Sequence, residues 1–423
     1  LGVVAAAVPV VATSCSKNDD TTPDTSTKNY LVCGNTEISM PSKMTQADFN
    51  ALVPADYTFE SGVQHSAIFV NDKYIEADLI TELQIGTTDG SIISIPTNFL
   101  STCTNLRKLI LKNVTTTSVS NLTVAGSKNS RVEISVPKLV ASMDTTRGKV
   151  DPTIGNSFLY GFTALEKVEL SGFSEVVSIG NSFMSNTKIY NIDLSPLSNV
   201  KQVGTNFVGS NLNLINVDLS PLTKLESVGT SFFTYCPNIE SVNFTGLTSL
   251  KTIGNEFFWG ASSLKTADLS KLTKVETVGN MFMEYNMGLT DINLSGFTSV
   301  KTIGQQFLGE CYSLKSVDVS KFPTTVTFAN SPGFLRCSKN LESVNLGAIP
   351  ATAFGSDLTT NDDSSFTRQF ATQDDFDNWT GINLTVDASV KADWTTATNA
   401  TTGRFRTIAW SSSTAYCRKV NLL

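Results

Sequence analysis

Seven times between residues 154 and 307 the chain writes an aliphatic residue, a glycine, two variable residues and a phenylalanine. The glycines are Gly155, Gly180, Gly204, Gly229, Gly254, Gly279 and Gly304, spaced by 25 residues in every step except one of 24. Phe158, Phe183, Phe207, Phe232, Phe257, Phe282 and Phe307 keep the register. A second apolar beat closes each unit, at Leu170, Leu194, Leu219, Phe244, Leu269, Leu294 and Val319. A unit this short cannot bury an apolar face alone, whereas stacked copies share one core. The period therefore dictates a repeat solenoid. Weaker units extend it through Leu83 and Ile85, through Phe99 with Leu106, Leu109 and Leu111, through Val132 and Ile134, and at the far end through Leu341, Val344 and Leu346. About ten or eleven coils result, with one insertion at ASMDTTRGKV, residues 141–150.

Within a unit, the run LKTADL alternates as a strand does, placing Ala267 and Leu269 inward and Thr266 and Asp268 outward. The run VETVG carries Val275 and Val278 before a glycine that is expected to adopt a turn conformation a Cβ would resist. The following NMFMEYN predicts a helical or 3₁₀ turn whose phenylalanine plugs the core, a burial worth roughly 1.5–3 kcal/mol per coil.

This pattern resembles the BspA-like leucine-rich repeats, whose units read as an LxxVxL strand, then IG, then AF and a small residue or Cys. The resemblance covers about residues 81–350. One departure is that Ser157, Asn206 and Glu256 stand before the phenylalanine where the family has Ala, which bears on the turn geometry. The resemblance implies a leucine-rich repeat solenoid of short stacked β-strands with 3₁₀ or helical turns, capped at both ends. It also implies adhesion to host matrix proteins or other cells.

A formal charge of -7 and a pI near 5.0 argue against a nucleic-acid partner. The opening LGVVAAAVPVVATSC resembles a truncated lipoprotein signal peptide over residues 1–14. ATSC resembles a relaxed lipobox that would lipidate Cys15, and SKNDD behind it resembles the export signal of Bacteroidetes-type surface lipoproteins. Residues 15–28 then read as a lipidated polar tether. The expected location is the outer membrane, facing outward, with membrane contact only through the lipid and the protein a monomer. Residues 29–80 are expected to form an N-terminal cap, in which Thr45 and Asp48 suit a helix start and Phe49, Leu52 and Val53 share a face. Residues 351–423 form the C-terminal cap region, where INLTVDASVKADW predicts a last strand followed by a short turn. RFRTIAWSSSTAYCRKV predicts a terminal strand.

The chemistry is sparse. His65 is the only histidine, which excludes a multi-His metal site and disfavours a Ser-His-Asp triad. The sequence has no GxxxxGK loop, no GxSxG elbow and no CxxC pair, so no catalytic residue, metal or cofactor is expected. Cys103, Cys236 and Cys311 each follow the column position of a phenylalanine by four residues and read as buried thiols. Cys236 and Cys311 are three coils apart, roughly 14 Å, too far to pair. Cys311 and Cys337 lie in adjacent coils and could bridge, and Cys33 and Cys417 belong to opposite ends.

Two polar ladders run along the coils. Glu169, Asp193, Asp218, Asn243, Asp268, Asn293, Asp318 and Asn345 precede the closing residue; they suit either a cation or local backbone capping, and the second reading is favoured because one oxygen per coil does not enclose an ion. Lys201, Glu226, Lys251, Glu276 and Lys301 alternate in sign, so neighbouring coils set opposite charges side by side. Aromatics at the variable tips are the candidate ligand-binding residues: Tyr160, Tyr235, Trp259 and Tyr285 stand where other coils carry Ser, Gly, Asn or Glu. Amphipathic rings at positions the core does not demand suit a protein partner, with a glycan as the alternative.

Overall fold

The computed structural model describes residues 28–42, 44–86, 100, 102–103, 105–106, 108–115, 132–140, 143–144, 148–149, 153–161, 165–329, 333–354, 365–399, 402–409 and 416–423. The signal peptide, Cys15 and nearly all of the tether lie outside the described residues, as does Phe99. The chain is a β-solenoid with two compact units, Leu1–Asn199 and Val200–Leu423.

The second unit turns the 25-residue period directly into hydrogen-bond register. The strands before the glycines, Gln202–Val203, Ser227–Val228, Thr252–Ile253, Thr277–Val278, Thr302–Ile303 and Thr327–Phe328, stack in parallel and in chain order. The closing motifs pair likewise, with Val217 opposite Val242, Ala267 opposite Ile292 and Val317 opposite Val344. Ala267 and Leu269 are buried while Thr266 and Asp268 face solvent, as the alternation requires. Among the described residues eight coils carry the short strand before the glycine position, two of them in the first unit, against the ten or eleven coils expected.

Two local expectations are corrected here. The segment around the column phenylalanine is neither an α-helix nor a 3₁₀ helix; every second residue takes a left-handed conformation. In one coil these are Ser231, Phe233 and Tyr235, with φ of 64°, 52° and 50°. Their N–H groups donate alternately to the next coil, the previous coil and the next: to Asn255 O at 2.8 Å, Phe207 O at 3.0 Å and Trp259 O at 2.7 Å. Left-handed residues with a Cβ cost roughly 1–2 kcal/mol each, and the inter-coil bonds offset that. The alternation also lets two successive residues face the core, so that Phe232 and Phe233, and then Phe257 and Phe258, are all fully buried. The 3₁₀ geometry occurs elsewhere in the coil, as at Ser195–Leu197 in the first unit.

The glycine column is also required for a different reason from the expected turn. Gly254 does not have a positive φ. A Cβ there would sit 2.4 Å from the carbonyl carbon of Gly229, and one on Gly304 would sit 2.4 Å from that of Gly279. Close approach of stacked backbones, not turn conformation, excludes a side chain.

With the glycines setting the spacing, the phenylalanines stack. Ring centroids from Phe207 through Phe232, Phe257 and Phe282 to Phe307 are 5.3, 5.4, 5.4 and 4.9 Å apart, with interplanar angles of 10° or less. Cys236 and Cys311 are buried thiols that reach backbone carbonyls, Val208 O at 3.4 Å and Met283 O at 3.3 Å. Asn211 and Asn286 do the same work in their coils, bonding Val208 O and Met283 O. No disulfide joins Cys311 and Cys337, so the bridge suggested by adjacent coils is not formed; the Cys311 sulfur is directed at core carbonyls instead.

Beyond Ser343–Gly347 the parallel stack continues through Ile382–Val386 to Val420–Leu422, aligning Val344, Leu384 and Leu422. The segment after Ile382–Val386 is a helix, Lys391–Ala397, rather than a short turn, because its Trp394 is fully buried and its indole N–H donates to Ile349 O at 2.8 Å. The last residues do pair: Tyr416–Cys417 lies antiparallel to Arg368–Gln369.

In the first unit, Ile80–Gly86, Lys108–Thr115, Val132–Val140 and Leu165–Glu169 form a parallel sheet that aligns Leu83, Leu109, Ile134 and Val168. The weak units therefore keep the register of the strong ones. The free edge of Ile80–Gly86 is covered by an antiparallel hairpin, Tyr30–Cys33 with Thr36–Ser39. Thr45 caps the helix Gln46–Asn50 reciprocally with Asp48, and Phe49 and Leu52 are buried with Val53 half-buried. His65 lies in a separate antiparallel sheet with its ring nitrogen 3.8 Å from Glu76. The insertion contains a hairpin, Met143–Asp144 with Gly148–Lys149.

Candidate functional site

The alternating conformation that buries the paired phenylalanines throws the next side chains outward. Tyr235 and Tyr285 are themselves left-handed residues, with φ of 50° and 60°, and each is tied by its N–H to the following coil, at Trp259 O and Gly309 O. The coil backbone thus holds three aromatic tips side by side. Tyr235 stacks on Trp259 with centroids 6.1 Å apart and 29° between planes, and Tyr285 meets Trp259 edge-on at 5.2 Å and 72°. Tyr235 is 53% exposed, while Trp259 and Tyr285 are half-buried. Tyr160, also exposed, belongs to the first unit and has no ring contact among the described residues. Three of the four predicted aromatics therefore form one ridge.

Behind the ridge lies a buried ionic network that the sequence did not reveal. The Trp259 indole N–H donates to Glu284 Oε2 at 3.2 Å. Arg336 links two acids, with Nη2 donating to Glu310 Oε1 at 2.5 Å and Nε 3.5 Å from Glu284 Oε1. Tyr312 donates its hydroxyl proton to Glu310 Oε2 at 2.9 Å. Glu284, Glu310 and Arg336 are all buried. Burial pushes the Glu284 carboxyl up to about 7, against the pull of Arg336 and the Trp259 N–H. Burial and the neighbouring Glu310 likewise raise the Tyr285 phenol. The indole orientation is set by a charge network rather than by packing alone. The hint in the sequence was two acids at tip positions of successive coils, but their partner Arg336 lies 52 residues beyond Glu284, outside the 25-residue register.

The ladders resolve into architecture. Asp193, Asp218, Asp268 and Asp318 each accept the N–H of the residue two places on, at 2.8–3.0 Å, and Asn243, Asn293 and Asn345 do so at 3.1–3.2 Å. Glu169 makes the same bond to Ser171 N–H. Local capping is the use to which these oxygens are put. Lys251 pairs with Glu226 at 2.8 Å and Lys301 with Glu276 at 2.5 Å, each bond joining one coil to the one before. Among the described residues no group of three or more His, Cys, Asp or Glu gathers to hold a metal ion.

Comparison with known proteins identifies the repeat. The family model for the BspA type leucine rich repeat region, in six copies, matches residues 152–265 and 226–364. A leucine-rich repeat protein from Bacteroides ovatus is similar over 73% of this chain and 97% of its own, at 16% identity and a TM-score of 0.34. The functional domain of InlJ from Listeria monocytogenes, which includes a cysteine ladder, is similar over 71% of this chain and 79% of its own, at 12% identity and a TM-score of 0.14. No curated protein sequence matches. The two family matches together span just over half of the chain, on the same glycine and phenylalanine columns, and the chain belongs to the BspA-type leucine-rich repeat family.

Proposed function

We propose that this protein is an adhesin-like binding protein that takes protein ligands on its repeat surface, with Tyr235, Trp259 and Tyr285 as anchors. Leucine-rich repeats commonly mediate protein binding, and the supporting observation is the ridge itself: three contiguous aromatics on a rigid scaffold whose core does not need them. A polar partner behind the indole keeps Trp259 oriented before any ligand arrives, which lowers the entropic cost of binding. Trp259 has Tyr235 on one side and Tyr285 on the other, so its ring faces are less open to a sugar than to the side chains of a protein. A glycan stacked on the exposed Tyr235 is the second reading.

The proposal includes attachment to the outer membrane through a lipid on Cys15, with the repeats facing outward toward host matrix proteins or another cell. No helix among the described residues is long and apolar enough to cross a membrane. The test is binding of residues 29–423 to immobilised matrix proteins and polysaccharides, beside a Tyr235, Trp259 and Tyr285 triple alanine variant. Saturable protein binding lost in the variant is expected. Binding retained by the folded variant removes the ridge from the mechanism, and polysaccharide binding lost with Trp259→Ala transfers the ridge to the second reading.

A further inference from the structure

The second unit also contains a cleft of about 720 Å³, remote in sequence from the aromatic ridge for most of its lining. The strand Arg368–Gln369, the helix Gln373–Asp377 and the turn after it form most of its wall, with Tyr312 and Lys339 contributed by the preceding coils. Such a volume falls in the range of small-ligand sites.

Arg368 is the unusual group there. Its guanidinium carbon lies 5.0 Å from the Phe370 ring centroid and 5.8 Å from that of Trp379. These rings are only 7% and 8% exposed, so they form a floor that positions the cation rather than platforms for a ligand. Among the described residues no carboxylate, carbonyl or hydroxyl accepts a hydrogen bond from Arg368, and its Nε is sealed from solvent without a partner. The buried arginines of this unit differ. Arg336 bridges two acids, and Arg418 donates to the carbonyls of Arg406, Ser365 and Arg404. An arginine held by aromatic rings, with the charge of Asp375 near it but no anion bonded to it, is charge prepared for a partner.

The remaining lining narrows the partner. Lys339 is exposed and makes no ion pair among the described residues, so a second free cation borders the cleft. Asp375 lines it too, but its carboxylate accepts the Thr372 hydroxyl at 2.7 Å as part of a helix cap and forms no ion pair with Arg368. One carboxylate beside two cations disfavours a dianion such as phosphate and favours a ligand carrying a single negative charge together with hydroxyl donors. Gln369, Asn378 and Thr380 are exposed around the same space and supply amide and hydroxyl groups.

We propose that this cleft binds a carboxylate-bearing saccharide of the uronate class, with Arg368 and Lys339 holding the carboxylate and Asp375, Gln369 and Asn378 reading its hydroxyls. The site is independent of protein binding by the ridge.

The test is calorimetric titration of residues 29–423 with trigalacturonate, against galactotriose, inorganic phosphate and hexaglutamate as comparators. Saturable binding of trigalacturonate is expected, weakened about tenfold or more by Arg368→Gln, as loss of a charge-assisted bond predicts. Galactotriose should bind at least about tenfold more weakly for the same reason. Should Arg368→Gln fail to fold, Lys339→Gln at an exposed position decides, with an expected loss of about threefold. Absence of trigalacturonate binding, or unchanged affinity in the deciding variant, overturns the proposal. Tighter binding of phosphate overturns it in favour of a general anion site, and tighter binding of hexaglutamate in favour of an acidic peptide.

Discussion

Between pH 5 and pH 8 the second unit should lose stability through one side chain, Glu284. Its carboxyl is buried behind Trp259 and titrates at about 7 against 4.5 for an ordinary glutamate. The folded chain therefore keeps a proton that the unfolded chain has already released, and in that interval stability falls as pH rises. The contribution is fully present below about pH 4.5, is lost as pH passes through about 7, and is flat above. At about 1.4 kcal/mol per pH interval the whole effect is about 3 kcal/mol. Other carboxylates titrate in the same experiment, so the informative quantity is the difference between the wild type and Glu284→Gln. Glutamine keeps one acceptor oxygen, enough for the Trp259 N–H or for Arg336 but not for both, a loss that does not vary with pH, while removing the proton equilibrium. Urea unfolding followed by tryptophan fluorescence at pH 5, 6, 7 and 8 supplies the two curves. The stability of the wild type relative to the variant should fall by about 2–3 kcal/mol across the series. Parallel curves, or a wild type that gains on the variant as pH rises, would refute the claim that burial governs this carboxyl.

Three further outcomes probe the scaffold. Phe257→Ala removes a fully buried ring stacked between Phe232 and Phe282 and should cost about 3–5 kcal/mol in urea unfolding. Gly254→Ala adds one methyl group at 2.4 Å from the Gly229 carbonyl carbon and should cost about 1–3 kcal/mol by forcing coils apart, whereas a glycine needed only for local flexibility would gain from alanine. Asp268→Ala should lose about 1 kcal/mol with its bond to the Ser270 N–H, while Asp268→Asn should be nearly neutral in the same melt because the neighbouring ladder position already uses asparagine.

The parts of the molecule that recur every 25 residues were readable because recurrence reports what every coil needs. Val217, Ala267 and Val317 alternate with exposed neighbours, and the pairing places each opposite its counterpart one coil on. The phenylalanine column was readable for the same reason. What recurrence does not report is the backbone that satisfies it. A glycine at a fixed position is equally consistent with a turn and with close backbone contact, and only the 2.4 Å approach at Gly254 distinguishes the two. Two adjacent inward phenylalanines suggest a helical turn, because neither a strand nor an extended loop puts neighbours on one side. The chain solves that problem with alternating left-handed residues, an arrangement propensity disfavours for Phe233 and Phe258 and that stacked hydrogen bonds nevertheless hold.

The same logic separates the two halves of the candidate site. Tyr235, Trp259 and Tyr285 stood out because they occupy tip positions that tolerate Ser or Gly, and the structure joins them because a solenoid converts separations of 24 and 26 residues into neighbouring rings. Arg336 breaks no such column, since its coil lies where the period decays, and no spacing rule connects it to Glu284 and Glu310. Yet those buried charges fix the indole through Glu284 and extend through Glu310 to Tyr312, a residue that also lines the cleft beside Arg368. Regular positions build the surface; the irregular coil supplies the charge that orients it. In a repeat protein of this kind, ligand chemistry should be sought where the period fails, because a side chain common to every coil is already committed to stacking the next one.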